Sequence, residues 1–202
     1  MTTRTMHQVL HGLAIKKAAT AQQIAQLMGL SPDEVQRQLE AAQAGDRVAQ
    51  VGGKYTLKPL ARVALEADYS RQCASLRAND AFIGAYEDFE RANLTLKTLI
   101  TDWQTIEVAG QRMPNDHKDK AHDERIIDRL GALHERAEGI LRRLAEAEPR
   151  FSYYRRALED ALQKAEDGAI EWVSDAKIDS YHTVWFELHE DLLRTVGRHR
   201  TE

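Results

Sequence analysis

The chain has 202 residues, of which 30% are charged, with 11 Gly, 4 Pro and a net charge of −4. That is room for one domain or two small ones with a real core, and the usage of a mostly helical protein. Cys73 is the sole cysteine, which excludes an internal disulfide and a thiolate metal cluster. No stretch approaches the roughly eighteen apolar residues of a membrane span, and the apolar run 9–15 lacks a signal-peptide cleavage site. A cytoplasmic protein without membrane contact is therefore expected. Residues 1–70 carry 8 Lys/Arg against 6 Asp/Glu, whereas residues 71–202 carry 20 against 26, so the two halves are expected to do different work.

In chain order, Met6, Val9, Leu10 and Leu13 share one side of a short helix over residues 5–17. Thr20 is placed to cap a second helix, 21–28, which halts at Gly29. Ser31 and Pro32 open a third helix whose inner face is Val35, Leu39 and Ala42. Gly45 stops it. "RVAQV", "GG" and "KYTL" then read as two strands around a two-residue turn, and helix resumes at "KPLARVALEA".

This order, with Ile24, Ala25, Met28, Gly29, Leu30, Val35 and Leu39 at the spacings of a helix wedge, resembles the winged helix-turn-helix regulators of bacteria over about residues 5–67. The resemblance implies that the third helix enters a major groove and that the wing near Gly52–Lys54 touches the backbone. Residues implied to contact DNA are Thr20, Ser31, Gln36, Arg37, Gln38, Arg47 and Lys54. The outward face of that helix also carries Asp33 and Glu40, which would meet phosphates, and Asp33 stands one turn from Arg37. A winged helix that contacts a protein instead of DNA stays open as an alternative.

Beyond residue 68 a helical connector over 69–79 is expected, then four amphipathic helices over 80–202 forming an antiparallel bundle. The first runs from Asp80 to about Ile106, the second over about 121–147, and the third from Phe151 to Gly168. The fourth is "YHTVWFELHEDLLRTV", capped by Asp179 or Ser180 and ended by Gly197. Residues 109–124 are expected to be a solvated loop that also caps the second helix. Arg155 and Arg156 are spaced to pair with Glu159 and Asp160 on an exposed face.

On the fourth helix, Tyr181, Trp185, Leu188 and Leu192 form the inner line, and His182, Phe186, His189 and Leu193 the line beside it. Thr183, Glu187, Glu190 and Arg194 are expected to face solvent. Histidines at boundary positions, with aromatics nearby, suit an organic-ligand pocket; the ligand-binding candidates are Trp103, His134, Arg150, Tyr154, His182, Trp185 and His189. "HEDLL" begins like a metalloprotease motif, but Leu193 stands where the second histidine is needed, so no metal and no cofactor are expected. No nucleophile elbow or phosphate-cradling glycine loop is present, so no catalytic residue is assigned.

The fold expected is mostly α: a winged helix-turn-helix over 1–68, then a helical bundle serving as effector or dimerisation unit. The function expected is transcriptional regulation, with double-stranded DNA, a small-molecule effector and a second copy of the chain as partners. The alternatives are a helical metal- or small-molecule-binding protein or enzyme, and an interaction adaptor.

Overall fold

Three hydroxyl caps set the N-terminal third. Thr3, Thr20 and Ser31 each accept a hydrogen bond from the amide three residues on, opening α1 (Arg4–Lys16), α2 (Ala21–Met28) and α3 (Pro32–Ala44). Thr20 and Gln23 complete a reciprocal capping box. The computed structural model describes residues 3–108 and 110–199; among these the fold is mostly helical, with ten α-helices.

The helix expected over 5–17 ends one residue early. Lys17 takes φ 63 and turns the chain, so that Ala18–Ala19 form a strand, β1, that was not expected. It pairs antiparallel with β3 (Lys54–Leu57), which also pairs with β2 (Val48–Val51), giving the sheet order β1-β3-β2. Gly52 and Gly53, at φ 56 and 77, make the hairpin turn in a region that other residues enter at a cost. Gly12 serves differently: a Cβ there would stand 3.1 Å from Ile24 Cγ2, so its absence lets α1 and α2 close together.

The chain then continues through α4 (Pro59–Gln72) and α5 (Ala74–Arg77), which meet at Cys73, into α6 (Asp80–Gln104). Residues 105–114, expected as a helix tail and loop, form a hairpin of β4 (Thr105–Val108) and β5 (Gln111–Pro114). Thr105, Ile106 and Val108 are β-branched and Gly110 takes φ 78, which suits strand and turn better than helix. Asp119 then caps α7 (Lys120–Ala147), and a 3₁₀ turn, Pro149–Phe151, leads into α8 (Ser152–Glu166). After α9 (Glu171–Ser174), Ser180 caps α10 (Tyr181–Val196), which Gly197 ends at φ 79.

Helices α6 and α7 pack along one another, α7 against α8, and α8 against α10. Trp185, Tyr154, Tyr181, Phe82, Phe89 and Phe151 are almost fully buried. Each such side chain contributes about 1.5–3 kcal/mol of burial. The apolar core is continuous from Met6 to Leu193, passing through the contact of α2 with α8 and the 3₁₀ turn. No helix among the described residues is long and apolar enough to cross a membrane.

The face of α10 expected to meet solvent is instead covered. Glu187 is buried under Lys16 of α1 and Arg194 is half-buried against Glu66 of α4, while Phe186 is exposed. Arg155, expected to pair along its own helix, reaches Glu138 on α7, Nε to Oε1 2.6 Å.

Candidate nucleic-acid interface and the seam behind it

The exposed side of α3 presents the residues that a groove-reading helix would need, yet most already have partners. The hydroxyls of Thr20 and Ser31 accept cap hydrogen bonds. Gln36 donates to Glu40 at 2.8 Å and to the Tyr55 hydroxyl at 3.2 Å, and Gln38 donates to Glu34 at 2.8 Å. Arg37 pairs with Glu34, not Asp33, and this hydrogen bond holds the Glu34 carboxyl below its ordinary pKa. Lys58 pairs with Asp46. Arg47 and Lys54 are exposed at the two ends of the wing, and no ion pair involves them among the described residues. On α3 and around the wing, Asp33, Glu34, Glu40 and Asp46 thus offset Arg37, Arg47, Lys54 and Lys58 in charge. Phosphate binding would have to draw Arg37 and Lys58 away from their carboxylates.

Behind this face, α1 and α4 rest on the 3₁₀ turn and α10 through polar side chains. Asp191 is fully buried at the centre. Arg150 grips it with both terminal nitrogens, Nη2 to Oδ1 at 2.8 Å, while the Tyr154 hydroxyl donates to Oδ2 at 2.9 Å. Thr195 donates to Oδ1 at 3.3 Å, and His11 Nε2 lies 2.9 Å from the same oxygen. Burial pushes the Asp191 carboxyl up, but Arg150 and then His11 outweigh it, so Asp191 stays ionised far below the usual carboxylate range. Burial lowers the His11 pKa, leaving the ring neutral. With its Nε2–H given to Asp191, Nδ1 accepts from the Tyr69 hydroxyl at 2.7 Å.

Further pairs extend this seam. Lys16 Nζ lies 2.8 Å from Glu187 Oε2 and 3.1 Å from Asp179 Oδ1. Arg194 bonds Glu190 at 2.8 Å and pairs with Glu66 on α4. His7, one turn before His11, stacks parallel to it with ring centres 6.2 Å apart. A cavity of about 40 Å³ opens here, lined in part by His7, His11, Tyr69, Cys73, Arg150 and Thr195.

The seven ligand candidates do not converge. Arg150 and Tyr154 are bound to Asp191. Trp103 packs on His117, ring centres 4.6 Å apart, beside the second hairpin. His134 Nδ1 meets the Tyr181 hydroxyl at 3.2 Å. His182, Trp185 and His189 do share a groove between α6 and α10, but it holds only about 50 Å³. There the Trp185 indole donates to Asn93 Oδ1 at 3.2 Å, and His189 Nε2 lies 2.8 Å from Glu90 Oε1. Larger clefts lie elsewhere: about 500 Å³ beside His117 and Glu166, and about 480 Å³ where Gln26 of α2 faces Arg156 and Trp172. Among the described residues no group of three or more His, Cys, Asp or Glu is arranged to hold a metal.

Asp191, His11, Lys16 and Glu187 escaped the sequence reading. Periodicity placed Glu187 on the outer face of its helix, and nothing local to α10 indicates that α1 will cover that side. The available signal was His7 and His11, four apart on the apolar face of α1, where polar side chains need partners. Comparisons with protein-family models, curated proteins and solved structures gave no match.

Proposed function

We propose that the chain is a DNA-binding transcriptional regulator, in which α1–α3 and the β2–β3 wing form a winged helix-turn-helix and α6–α10 an antiparallel bundle. The observation that carries this reading is topological. The order helix, strand, helix, helix, strand, strand, with the two-residue strand β1 closing the sheet beside β3, leaves α3 with one side buried by Val35, Leu39 and Ala42. Its other side is open to a groove. Arg47 and Lys54, before β2 and at the start of β3, are exposed as well. Two-fold operators require two reading heads, so the active form is a homodimer. The seam around Asp191 would transmit the state of the bundle to α1 and thence to α3, a population shift between two arrangements of paired heads. Selection from random duplexes tests this: enrichment of a two-fold repeated sequence supports it, and none above input counts against it.

A second reading has its own observation. Val51 on the wing and Leu60 and Val63 on α4 are 74%, 85% and 68% exposed, and the charges on α3 and around the wing offset one another. Exposed apolar side chains suit a protein partner better than a phosphate backbone.

A further inference from the structure

The centre of the seam is electrically balanced only while its histidines are neutral. Arg150 supplies one permanent positive charge and Asp191 the one fully buried negative charge. His11 faces Asp191 and Arg194 from α10, Arg150 from the 3₁₀ turn, Tyr69 from α4 and His7 from its own helix. His7 faces His11, Arg150, and Asp68 and Tyr69 on α4. Asp68 also serves Arg71, at 2.6 Å. A proton on either ring therefore puts positive charge beside Arg150 among buried side chains, where charge is expensive.

The fit is also incomplete. Among the described residues, two buried side-chain atoms lack a hydrogen bond, His7 Nδ1 and Glu187 Oε2, and both lie in this seam. Each is near a charge, 3.3 Å from Asp68 and 2.8 Å from Lys16, without the alignment a hydrogen bond needs. The chain bends beside His7. Cys73 ends α4 and starts α5 at φ −102, ψ 9, with no side-chain cap, and lines the seam cavity. Leu13 of α1 and Leu65 of α4 belong to the continuous apolar core, whereas His7 and His11 meet Asp68, Tyr69 and Asp191 through polar atoms, so these polar contacts are the part able to loosen while the core holds.

The geometry points to a proton-operated clasp: α1 and α4 loosen from the 3₁₀ turn and α10 when His7 and His11 take up protons, uncovering Cys73. The direction follows from linkage. Burial, then the neighbouring His11, push the His7 pKa down from 6.5 to about 4, and burial lowers that of His11. A loosened, hydrated seam restores ordinary values, so the loosened form binds more protons between those limits and acid favours it. Through His7 alone the ratio of loosened to closed forms rises roughly thirty-fold between about pH 7.5 and about pH 5.

The buried thiol is the reporter, in the unaltered chain and without DNA, so the outcome is independent of the function proposed above. The rate at which a dipyridyl disulfide, which reacts at acidic pH, modifies Cys73 is compared with the rate in denaturant at the same pH. The clasp predicts that this protection falls by roughly thirty-fold or more from about pH 7.5 to about pH 5, with helical circular dichroism unchanged. A His7→Gln, His11→Gln variant, which keeps hydrogen-bonding capacity without titration, should give a flat profile. Should that variant not fold, His7→Gln alone should reduce the response. Constant protection in the wild-type chain, a response that survives both substitutions, or loss of helix in step with loss of protection would each overturn the clasp.

Discussion

His11 on α1 gives its Nε2–H to Asp191 on α10 at 2.9 Å, joining residues 180 positions apart in the chain. Neither residue is more than 4% exposed, and the carboxylate is shared with Arg150, Tyr154 and Thr195. The N-terminal elements are thus fixed to the C-terminal helix through one charge and its partners, at the point where a buried charge is least tolerant of losing a neighbour.

Asp191→Asn should consequently be among the most damaging substitutions in the chain. It leaves the Arg150 guanidinium buried without a counter-charge, and the expected loss is about 3–5 kcal/mol. Arg150→Met should cost about as much, and the double variant less than the sum of the two. Urea unfolding of the four proteins measures this; strict additivity would mean that the two side chains do not act as a pair.

Stability should also depend on pH in two separate windows. His7 and His11 have depressed folded values, so the unfolded chain binds more protons below 6.5, and stability falls as pH drops from there toward about 4. For His7 the full effect is roughly 3 kcal/mol. Asp191, also depressed, contributes stability above the ordinary carboxylate range that disappears only in much stronger acid. The urea midpoint should therefore decline between about pH 6.5 and about pH 4 and again below it. A midpoint that is level over the upper window would contradict neutral buried histidines.

In the groove between α6 and α10, Trp185→Phe removes the indole donor and leaves buried Asn93 Oδ1 unpaired. The expected loss is about 1–3 kcal/mol. His189→Gln retains a donor for Glu90 and should shift thermal unfolding much less. Equal shifts for the two would mean that packing, not the hydrogen bond to Asn93, dominates there.

Asp123 makes a fourth case. It accepts from Asn115 at 2.8 Å and lies 3.0 Å from His117 Nδ1, and Asn115 in turn holds the Trp103 carbonyl at 3.0 Å. His117 sits at φ 57, a conformation a non-glycine residue adopts only when its surroundings enforce it. Asp123→Ala should raise hydrogen exchange in the β4–β5 hairpin and the 115–119 turn, with α10 unaffected. Unchanged exchange there would show that the turn holds itself.

What the sequence made legible was local. Ser31 with Pro32, Gly29, the Gly52–Gly53 turn and the Ser180 to Gly197 limits of α10 are each set by the chemistry of one or two neighbouring residues, and each stands where it was expected. The second hairpin was missed because Thr105 and Ile106 extend the apolar stripe of α6 as readily as they start a strand, and strand pairing is decided by a partner across the turn. The seam was missed for a stronger reason. Glu187 becomes an interior residue because α1, arriving from the far end of the chain, covers it, and Asp191 because α1, the 3₁₀ turn and α8 close on it together; helical period alone assigns charged residues to solvent. Arg150 and Tyr154 drew notice as ligand-binding residues because an arginine beside aromatics suits an anion. The anion they hold in this structure is Asp191.

The most direct measurement is the salt dependence of binding to duplex DNA. If α3 and the wing lie on a duplex, the logarithm of the binding constant should fall linearly with the logarithm of salt concentration, by about 0.9 for each phosphate neutralised. Arg47→Ala and Lys54→Ala should each reduce that slope by about one, weakening all sequences alike. Arg37→Ala should narrow the preference for the selected sequence by about 1–3 kcal/mol at a contacted base. Binding that is insensitive to salt, or identical in the wild type and all three variants, would contradict a DNA-reading head and leave the exposed side chains of Val51, Leu60 and Val63 to explain.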